Sequence, residues 1–544
     1  MTREAARGIA GGAAQRLVQS VVVDLVRQWR WSFLPPLMVY IAAGVAGLTS
    51  VVGAFFVKDY LNLSAVFLAG LAFWAGLPWV LKMPLGHLVD LIWRWKAALV
   101  VVGAGLIAAS LGIMVGLIEH RAAMTAVMEA ETWYVLSALL APTGYVVQDV
   151  VADAMTVEAV PDTDAEGRPV PEAESKAQHT TMQTLGRFAI LSGIAAVAAV
   201  NLTVFADIEA MDAAARLAAY GDVYRMALAV PVISVSGVAV AALMARRRAA
   251  RLRARGVAEA EVQRQVYVPG ERVEPDWRIF GGSLAFVVLT LGLGLSDLAY
   301  AAELVFVGTL AVIAYLIRRL IRSLAPDQAR ALVGTALIIF AFRATPLPGP
   351  GQTWFEIDML GFDEQFLSVL SLITACLALA GMLVLRPVMA RWPIARIVAL
   401  LTLVGGVLSL PNIGLFYGLH EWTAARTGGV VDARSIAILD TAVESPLGQV
   451  AMIPMLAWIA RNAPPALKAT FFAVMASFTN LALSASSLAT KHLNAALVVT
   501  RETTDTAADY SRLGVLLIVV AVVGVAVPLM TILLVQRSRL RSDA

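Results

Sequence analysis

The stretch WYVLSALLAPTGYVVQDVVADAMTVE, from Trp133 to Glu158, has the length of a membrane helix but carries acidic residues inside its apolar run. About 20 predominantly apolar residues are enough to cross a bilayer as an α-helix. Asp149 and Asp153 are four residues apart, so they share one face of that helix. A carboxylate facing lipid is unfavourable by about 3 kcal/mol or more. We therefore predict that this face looks onto a protein interior or a water-filled cavity.

The composition of the whole chain is that of a polytopic membrane protein. Of its 544 residues, 59% are hydrophobic and 15% are charged, whereas a soluble domain carries about 25% charged residues. The net charge is only +3, and the basic residues are placed in loops, so no nucleic-acid partner is expected. The single cysteine, Cys376, cannot form an internal disulfide and is expected to be a packing residue.

Apolar runs of about 17–25 residues predict fourteen membrane spans, arranged as six, two and six. The two runs between the halves are joined by a very short turn, so a re-entrant hairpin or a pair lying outside the bundle are alternatives. The predicted spans lie near 37–57, 62–82, 97–118, 133–157, 185–205, 224–245, 279–298, 301–319, 330–346, 366–386, 395–417, 436–460, 469–490 and 512–535.

These spans divide the chain into predicted segments. The Arg-rich connection after the sixth span separates the two halves. The segments are a cytoplasmic N-terminal segment (1–36), an N-terminal six-helix half (37–245), a basic cytoplasmic connection (246–278), two extra transmembrane helices (279–319), a C-terminal six-helix half (330–536) and a cytoplasmic tail (537–544).

Loop charge predicts the orientation of the bundle, because cytoplasmic loops carry an excess of Lys and Arg. An even number of spans then returns both termini to the cytoplasm of the bacterial inner membrane. The basic residues on the predicted cytoplasmic side include Lys82, Arg94, Lys96, Arg246, Arg247, Arg248, Arg251, Arg318, Arg319, Arg391, Arg396, Lys468 and Arg537.

A charged motif follows the second span. Gly86, Asp90, Arg94 and Lys96 predict a tight charged turn between two helices. The spacing resembles the cytoplasmic loop motif of the major facilitator superfamily, which implies a gate that holds the cytoplasmic side shut. Leu91 stands where that family usually has a basic residue. The alternative is a charged loop that only sets topology.

Further segments resemble the folate–biopterin transporter branch of the same superfamily. They imply an all-α membrane bundle of two six-helix halves around a central cavity, and the two extra spans depart from the usual twelve. The segments are LPWVLKMPLGHLVD (77–90), QDVVADAMTVE (148–158), FRATPLPGPGQTWFEIDMLGF (342–362) and the run from ESPLGQV to LALSAS (444–486).

Asp149 and Asp153, with the neighbouring Gln148, are the first candidates for a proton-coupling or substrate site. Two close carboxylates in a low-dielectric cavity repel each other, so one of them is suited to load and unload a proton. The alternative is that the acids only pair with a nearby base, such as Lys82 or Arg187.

Other intramembrane polar residues are candidates for substrate contact. A guanidinium binds a carboxylate bidentately, so Arg187 and Arg343 would suit an anionic heterocycle; Arg343 could instead reach the lipid headgroups. Glu444 and Gln449 are the corresponding candidates in the second half. Lys58 and Asp59 are interpreted as a capping or interfacial pair.

We predict a secondary transporter, proton-coupled, for a small organic solute such as a folate or pterin. The expected partners are membrane lipids, substrate and protons, in a monomer without a cofactor or metal. No catalytic constellation occurs and the five His residues show no metal-ligand spacing, so enzymatic activity is not expected. No phosphate loop occurs, so direct ATP drive by this chain is not expected either. The alternatives are a non-transporting assembly or pigment-delivery factor of the same fold, and an amphiphile or lipid flippase.

Overall fold

The computed structural model of the protein describes residues 29–61, 63–92, 95–160, 170–206, 210–267, 277–294, 296, 298–322, 324–384, 392–443, 445, 468–501 and 507–541. Within these residues the chain is helical apart from turns, short connections and one isolated β-bridge between Thr500 and Asp509. The all-α fold class is therefore confirmed.

The first half of the chain contains the helices that carry the acidic stretch. The helix breaks between Val45 and Ser50, where one turn has 3₁₀ geometry. The α-helices are α1 (Leu34–Val45), α2 (Ser50–Phe56), α3 (Ala65–Gly76), α4 (Lys82–Leu91), α5 (Lys96–Glu119), α6 (Arg121–Thr125), α7 (Ala130–Ala159), α8 (Glu172–Val204), α9 (Ala213–Ala227), α10 (Ala229–Ala254) and α11 (Glu259–Val266).

The second half begins with the two extra helices. The helices are α12 (Trp277–Gly294), α13 (Ala301–Ile321), α14 (Pro326–Arg343), α15 (Pro350–Asp358), α16 (Glu364–Val384), α17 (Ile394–Phe416), α18 (Leu419–Thr427), α19 (residues 433–443), α20 (Lys468–Ala496) and α21 (Leu513–Arg537).

The protein is an integral membrane protein. Ten helices in the described residues are long and apolar enough to cross a bilayer, and the shorter helix at Phe280–Gly294 is also apolar. Residues 446–467 lie outside the described residues. They hold most of the span that the sequence predicts near 436–460. The count of fourteen spans therefore stays a prediction.

The charged motif after the second span does not form its turn where the sequence predicts it. A 3₁₀ segment at Leu77–Leu81 joins α3 to α4, so the helical rod continues to Leu91. Proline is compatible with the first turn of a helix, and Pro78 occupies such a position in the 3₁₀ segment. The prediction that the turn begins at Gly86 is wrong, because Gly86 and Asp90 lie inside α4.

The basic connection between the halves begins on a helix. α10 continues without interruption through Arg246–Arg248 to Ala254. Arg253 forms a bidentate pair with Glu259 at 2.7 Å, which fixes α11 against the end of α10. The hydrogen bond from Arg253 lowers the pKa of Glu259 to about 2.

Among the described helices, the most extensive contacts between the halves are those of α3 with α20 and of α8 with α16. The extra helices α12 and α13 pack on each other, and α13 also lies along α20. Glu303 of α13 pairs there with Lys491 and His492 of α20 at 3.3 and 2.8 Å.

Cys376 lies on α16 and is exposed. The expectation that it packs inside the bundle is wrong, because an apolar run in a membrane helix gives no sign of which residues face the lipid.

Candidate functional site

The Lys82 side chain forms ion pairs with both Asp149 and Asp153 of α7. Its Nζ lies 2.6 Å from Asp149 Oδ2 and 2.7 Å from Asp153 Oδ2. The Tyr40 hydroxyl of α1 donates to the other oxygen of Asp153 at 2.7 Å. We call Tyr40, Lys82, Asp149 and Asp153 the acid cluster. It joins α1, α4 and α7, and all four residues belong to the first half of the chain.

The two carboxylates of the acid cluster differ in exposure. The Asp149 side chain is 19% exposed and that of Lys82 16%, whereas the Asp153 side chain is 38% exposed. Asp153 is therefore the carboxylate that remains in contact with open space. The pairing with Lys82 is the alternative that the sequence also left open, and the view that the acidic face looks onto a cavity stays a prediction.

Two described basic residues, Lys82 and Arg187, lie near the two acids of the cluster. Arg187 of α8 lies close enough to interact electrostatically with Asp149 and Tyr40. Lys82 and Arg187 then offset Asp149 and Asp153. Adding one proton to either carboxylate leaves an excess positive charge in a region of low dielectric constant, where charge interactions are strong.

The Gln148 side chain lies between helices and is not part of the acid cluster. Its amide nitrogen donates to the Val100 carbonyl at 3.1 Å, and its amide oxygen accepts from the Ser234 hydroxyl at 2.9 Å. The side chain is buried and links α7 to α5 and α10. Beside it, Gly103 and Gly144 let α5 and α7 approach so closely that a Cβ on Gly103 would lie 2.6 Å from the Gly144 carbonyl.

A cavity of about 510 Å³ lies farther along the same helices. Its walls come from α2 and the segment before it, α3, α5, α7 and α9, and α15 of the second half contributes Thr353 and Trp354. Polar groups on its walls include Tyr134, Tyr145 and Tyr224. We call this space the tyrosine cavity. None of its described lining residues is charged.

The tyrosine cavity and the acid cluster follow one another on a single face of α7. Tyr134, Ala138, Ala141 and Tyr145 line the cavity, and Asp149 and Asp153 continue the same three- and four-residue steps. Four residues of α-helix rise about 6 Å, so the last cavity tyrosine is one turn from the first acid. The tyrosine cavity therefore ends about one helical turn from Asp149.

The opposite end of the bundle is held by polar contacts between the two halves. Lys58 Nζ lies 2.6 Å from Asp358 Oδ1, and both side chains are 16% exposed. The Tyr510 hydroxyl donates to Asp358, and Arg501 donates to the Lys58 carbonyl. We call Lys58, Asp358, Arg501 and Tyr510 the latch. Separating the halves at this end requires the latch to break.

Two of the remaining predicted site residues lie at the ends of described helices. Arg343 is the last residue of α14, and Lys96 begins α7's neighbour α5. Glu444, Gln449 and Arg94 lie outside the described residues, as does the side chain of Asp90. Their assigned roles stay predictions.

Tyr40 and Asp358 are site residues that the sequence did not reveal. Tyr40 lies in the apolar first span, and its ring packs on the Gly186 backbone, where a Cβ would lie 2.9 Å from the ring. Asp358 is 300 positions from Lys58 in the chain. A lone tyrosine and a distant acid carry no local pattern, so only the fold pairs them with their partners.

Comparison with known proteins gives a family match and a related transporter. Residues 278–544 match the BT1 family. A folate-biopterin transporter of Synechocystis sp. is 30% identical over 146 residues, which are 27% of this chain and 28% of that protein. The resemblance to folate–biopterin transporters is confirmed. The chain thus matches little more than a quarter of that transporter's length.

Solved structures of transporters share the fold. A POT family transporter in complex with a thioalcohol conjugated peptide has a TM-score of 0.58 at 12% identity, covering 93% of this chain and 96% of that one. A mutant of the nucleoside transporter NupG has a TM-score of 0.54 at 12% identity, covering 92% and 98%. At these identities the likeness concerns the fold alone.

Proposed function

We propose that the protein is a secondary active transporter that moves a small organic solute together with protons by alternating access. The observation that carries the proposal is the acid cluster, in which one lysine binds two carboxylates inside membrane-spanning helices. Ionisable residues within such helices mark substrate and proton pathways. The relative in Synechocystis is a folate-biopterin transporter, which suggests an aromatic heterocycle of the folate or pterin kind as the solute.

The proposed proton carrier is Asp153, because it is the more exposed carboxylate of the acid cluster. When Asp153 takes up a proton, its attraction to Lys82 falls, and Lys82 keeps only Asp149 as an ionised partner. The excess positive charge then favours a rearrangement of α4 and α7 around the cluster. Release of the proton on the other side of the membrane restores both ion pairs.

The tyrosine cavity favours transport over a purely structural role. Its walls carry hydroxyl groups from the first half of the chain and residues of α15 from the second half. An assembly factor would have no need of a polar space shared by the two halves. In the proposed orientation both termini lie in the cytoplasm, and the latch closes the external side.

Uptake into proteoliposomes tests the proposal. An imposed inward proton gradient should drive accumulation of radiolabelled pterin by the wild type, and collapse of the gradient should abolish the accumulation. The double variant Asp149→Asn/Asp153→Asn should lose gradient-driven uptake. Asp327→Asn is the matched control, because Asp327 pairs with Arg330 on an exposed surface. Equal gradient-driven uptake by the double variant would refute proton coupling through these acids.

A further inference from the structure

The helix α10 carries a group of arginines at the point where it leaves the membrane. The chain is uncharged from Met226 to Ala245, and about 20 residues of helix are enough to cross the hydrocarbon core. α10 continues without interruption beyond this run to Ala254. The arginines at positions 246, 247 and 248 therefore lie at the level of the lipid headgroups, and the arginine at 251 lies about one turn farther out. We call Arg246, Arg247, Arg248 and Arg251 the arginine collar.

The arginine collar lies on the outside of the bundle. All four of its residues are exposed, and Ala249 is the one buried residue between positions 246 and 251. Successive residues of an α-helix are turned by about 100°, so three exposed residues in a row cover more than half of the helix circumference. Most of the surface of α10 is therefore uncovered by protein at this level.

The protein supplies no carboxylate to the arginine collar within the part of the chain that the structure describes. None of its four residues forms an ion pair with a described residue. Arg253, farther from the bilayer, differs, because it pairs with Glu259 of α11 at 2.7 Å. The arginine beyond the headgroup level is thus paired within the protein, and those at that level are not.

The hairpin of α10 and α11 explains this difference. Gly256 has a φ of 79° and lets the chain turn back after α10. α11 then packs on α10, and Ala249 and Val262 of the two helices are both fully buried. The acidic residues of α11, Glu259 and Glu261, lie in its first turn. They are therefore near the tip of the hairpin and away from the arginine collar.

The surface directly below the arginine collar is apolar and exposed. Leu243 lies one turn before the collar and is 47% exposed, and Ala242 is exposed beside it. A phospholipid can lie along this surface with its acyl chain while its headgroup meets the guanidinium groups. A soluble anion or an acidic protein would use the charges and leave the apolar surface unused.

We propose that the arginine collar binds phospholipids with anionic headgroups in the adjacent leaflet. Guanidinium groups bind phosphate through charge-assisted and often bidentate hydrogen bonds. Groups of four or more basic residues beside a membrane helix attract anionic lipid. The proposal requires that α10 spans the bilayer, and it does not depend on proton coupling or on the solute that is transported.

Two positions on α10 allow a test with an internal control. Leu243 and Val232 are 47% and 67% exposed, and eleven residues turn the helix to within about 20° of the same face. They lie in opposite leaflets, and the arginine collar is next to Leu243. Leu243→Cys and Val232→Cys, each in a Cys376→Ser background, are labelled with a small fluorophore in the full-length protein.

The measurement is fluorescence quenching in phosphatidylcholine vesicles that contain a minor fraction of a brominated lipid. Brominated phosphatidylglycerol carries a negative charge, and brominated phosphatidylcholine carries no net charge. At position 243 we expect phosphatidylglycerol to be enriched at least about threefold over phosphatidylcholine. At position 232 the two lipids should quench equally. Equal quenching at position 243, or the same enrichment at both positions, would overturn the proposal.

Charge variants assign the enrichment to the arginine collar. Replacing all four arginines by glutamine should abolish the enrichment at position 243, and replacing all four by lysine should keep most of it, because the charge is retained. Raising the ionic strength to about 1 M shortens the Debye length to about 3 Å and should reduce the enrichment in the wild type without any substitution. Enrichment that survives both the glutamine variant and high salt would overturn the proposal.

Inorganic phosphate distinguishes a lipid headgroup from a free anion as the ligand. Sodium phosphate should lower the enrichment at position 243 no more than sodium chloride does at the same ionic strength. A clearly larger effect of phosphate would show that the arginine collar binds the free anion, and this too would overturn the proposal.

Discussion

The acid cluster and the latch are both built on a lysine inside the protein, but they are organised differently. In the acid cluster one lysine faces two carboxylates, and all the partners belong to the first half of the chain. In the latch Lys58 faces Asp358, and the pair joins the two halves. Protonation of one carboxylate of the acid cluster leaves Lys82 paired with the other, so it does not require the halves to separate. The ion pair between Lys58 and Asp358 joins the two halves, so it breaks when they move apart.

This contrast assigns different tasks to the two regions. The Asp153 side chain is 38% exposed, whereas the Lys58 and Asp358 side chains of the latch are each only 16% exposed. We therefore expect substitutions in the acid cluster to affect proton movement. Substitutions in the latch should affect the equilibrium between conformations in which the two halves are together or apart at this end.

The largest expected effect is on stability and comes from Lys82→Met. It leaves two carboxylates without their shared lysine, and loss of one partner of a buried pair destabilises by about 3 kcal/mol or more. Chemical unfolding in detergent measures the change. The second variant Lys82→Met/Asp149→Asn removes one stranded charge and should recover part of the loss. A Lys82→Met protein as stable as the wild type would show that the cluster is not held by these ion pairs.

A smaller effect is expected from Lys58→Met at the latch. Lys58→Met removes one ion pair where Lys82→Met removes two, and Asp358 keeps the Tyr510 hydroxyl as a donor. We therefore expect a two-state equilibrium to shift by about 1 kcal/mol, or roughly fivefold. Spin labels at Val127 and Val430, both more than 70% exposed, report the separation of the halves in a Cys376→Ser background. The variant should gain a population with a longer distance between the labels.

The matched control for the latch is Lys82→Met with the same labels. Its distance distribution should stay closer to that of the wild type, because the acid cluster lies within one half. If Lys58→Met leaves the distances unchanged and Lys82→Met changes them, the assignment of tasks to the two regions is reversed.

Tyr40→Phe should have a modest effect. It removes the hydroxyl that donates to Asp153, and one hydrogen bond contributes about 1 kcal/mol. Unfolding in detergent should show this loss, with no change in the distance between the spin labels. An effect as large as that of Lys82→Met would mean that Tyr40, and not Lys82, is the main support of the cluster.

The smallest expected effect concerns Glu356 of α15, outside the ten spans. Burial raises the pKa of this carboxyl, opposed by the Gln352 amide and reinforced by Asp440. A raised pKa in the folded state favours folding at low pH, and this advantage is lost as pH rises above the ordinary value of 4.5. Glu356→Gln should therefore raise the melting temperature slightly at pH 7 and leave it unchanged near pH 4.

The sequence predicts the helices and the acidic stripe because both depend on local patterns. Long apolar runs locate the spans, and the four-residue spacing of Asp149 and Asp153 puts them on one face. The sequence also indicates Lys82 as a possible partner of these acids, because it ends an apolar run on the predicted cytoplasmic side. These inferences need no knowledge of which helices are neighbours.

The latch and the tyrosine cavity could not be predicted, because they depend on contacts between distant segments. Lys58 follows an apolar run and precedes Asp59, so sequence proximity suggested a local pair. The structure shows an ion pair with Asp358, which only the packing of the halves can produce. The cavity tyrosines look like ordinary interfacial or packing aromatics until α2, α3, α5 and α7 surround one space.

The most direct test of coupling is the movement of protons that accompanies substrate. Pterin is added to weakly buffered proteoliposomes without an imposed gradient, and a pH electrode follows the external medium. The wild type should make the medium more alkaline as substrate and protons enter together, and Asp153→Asn should transport without this change. Uptake by the wild type with no change in external pH would contradict the central claim that the acid cluster carries protons.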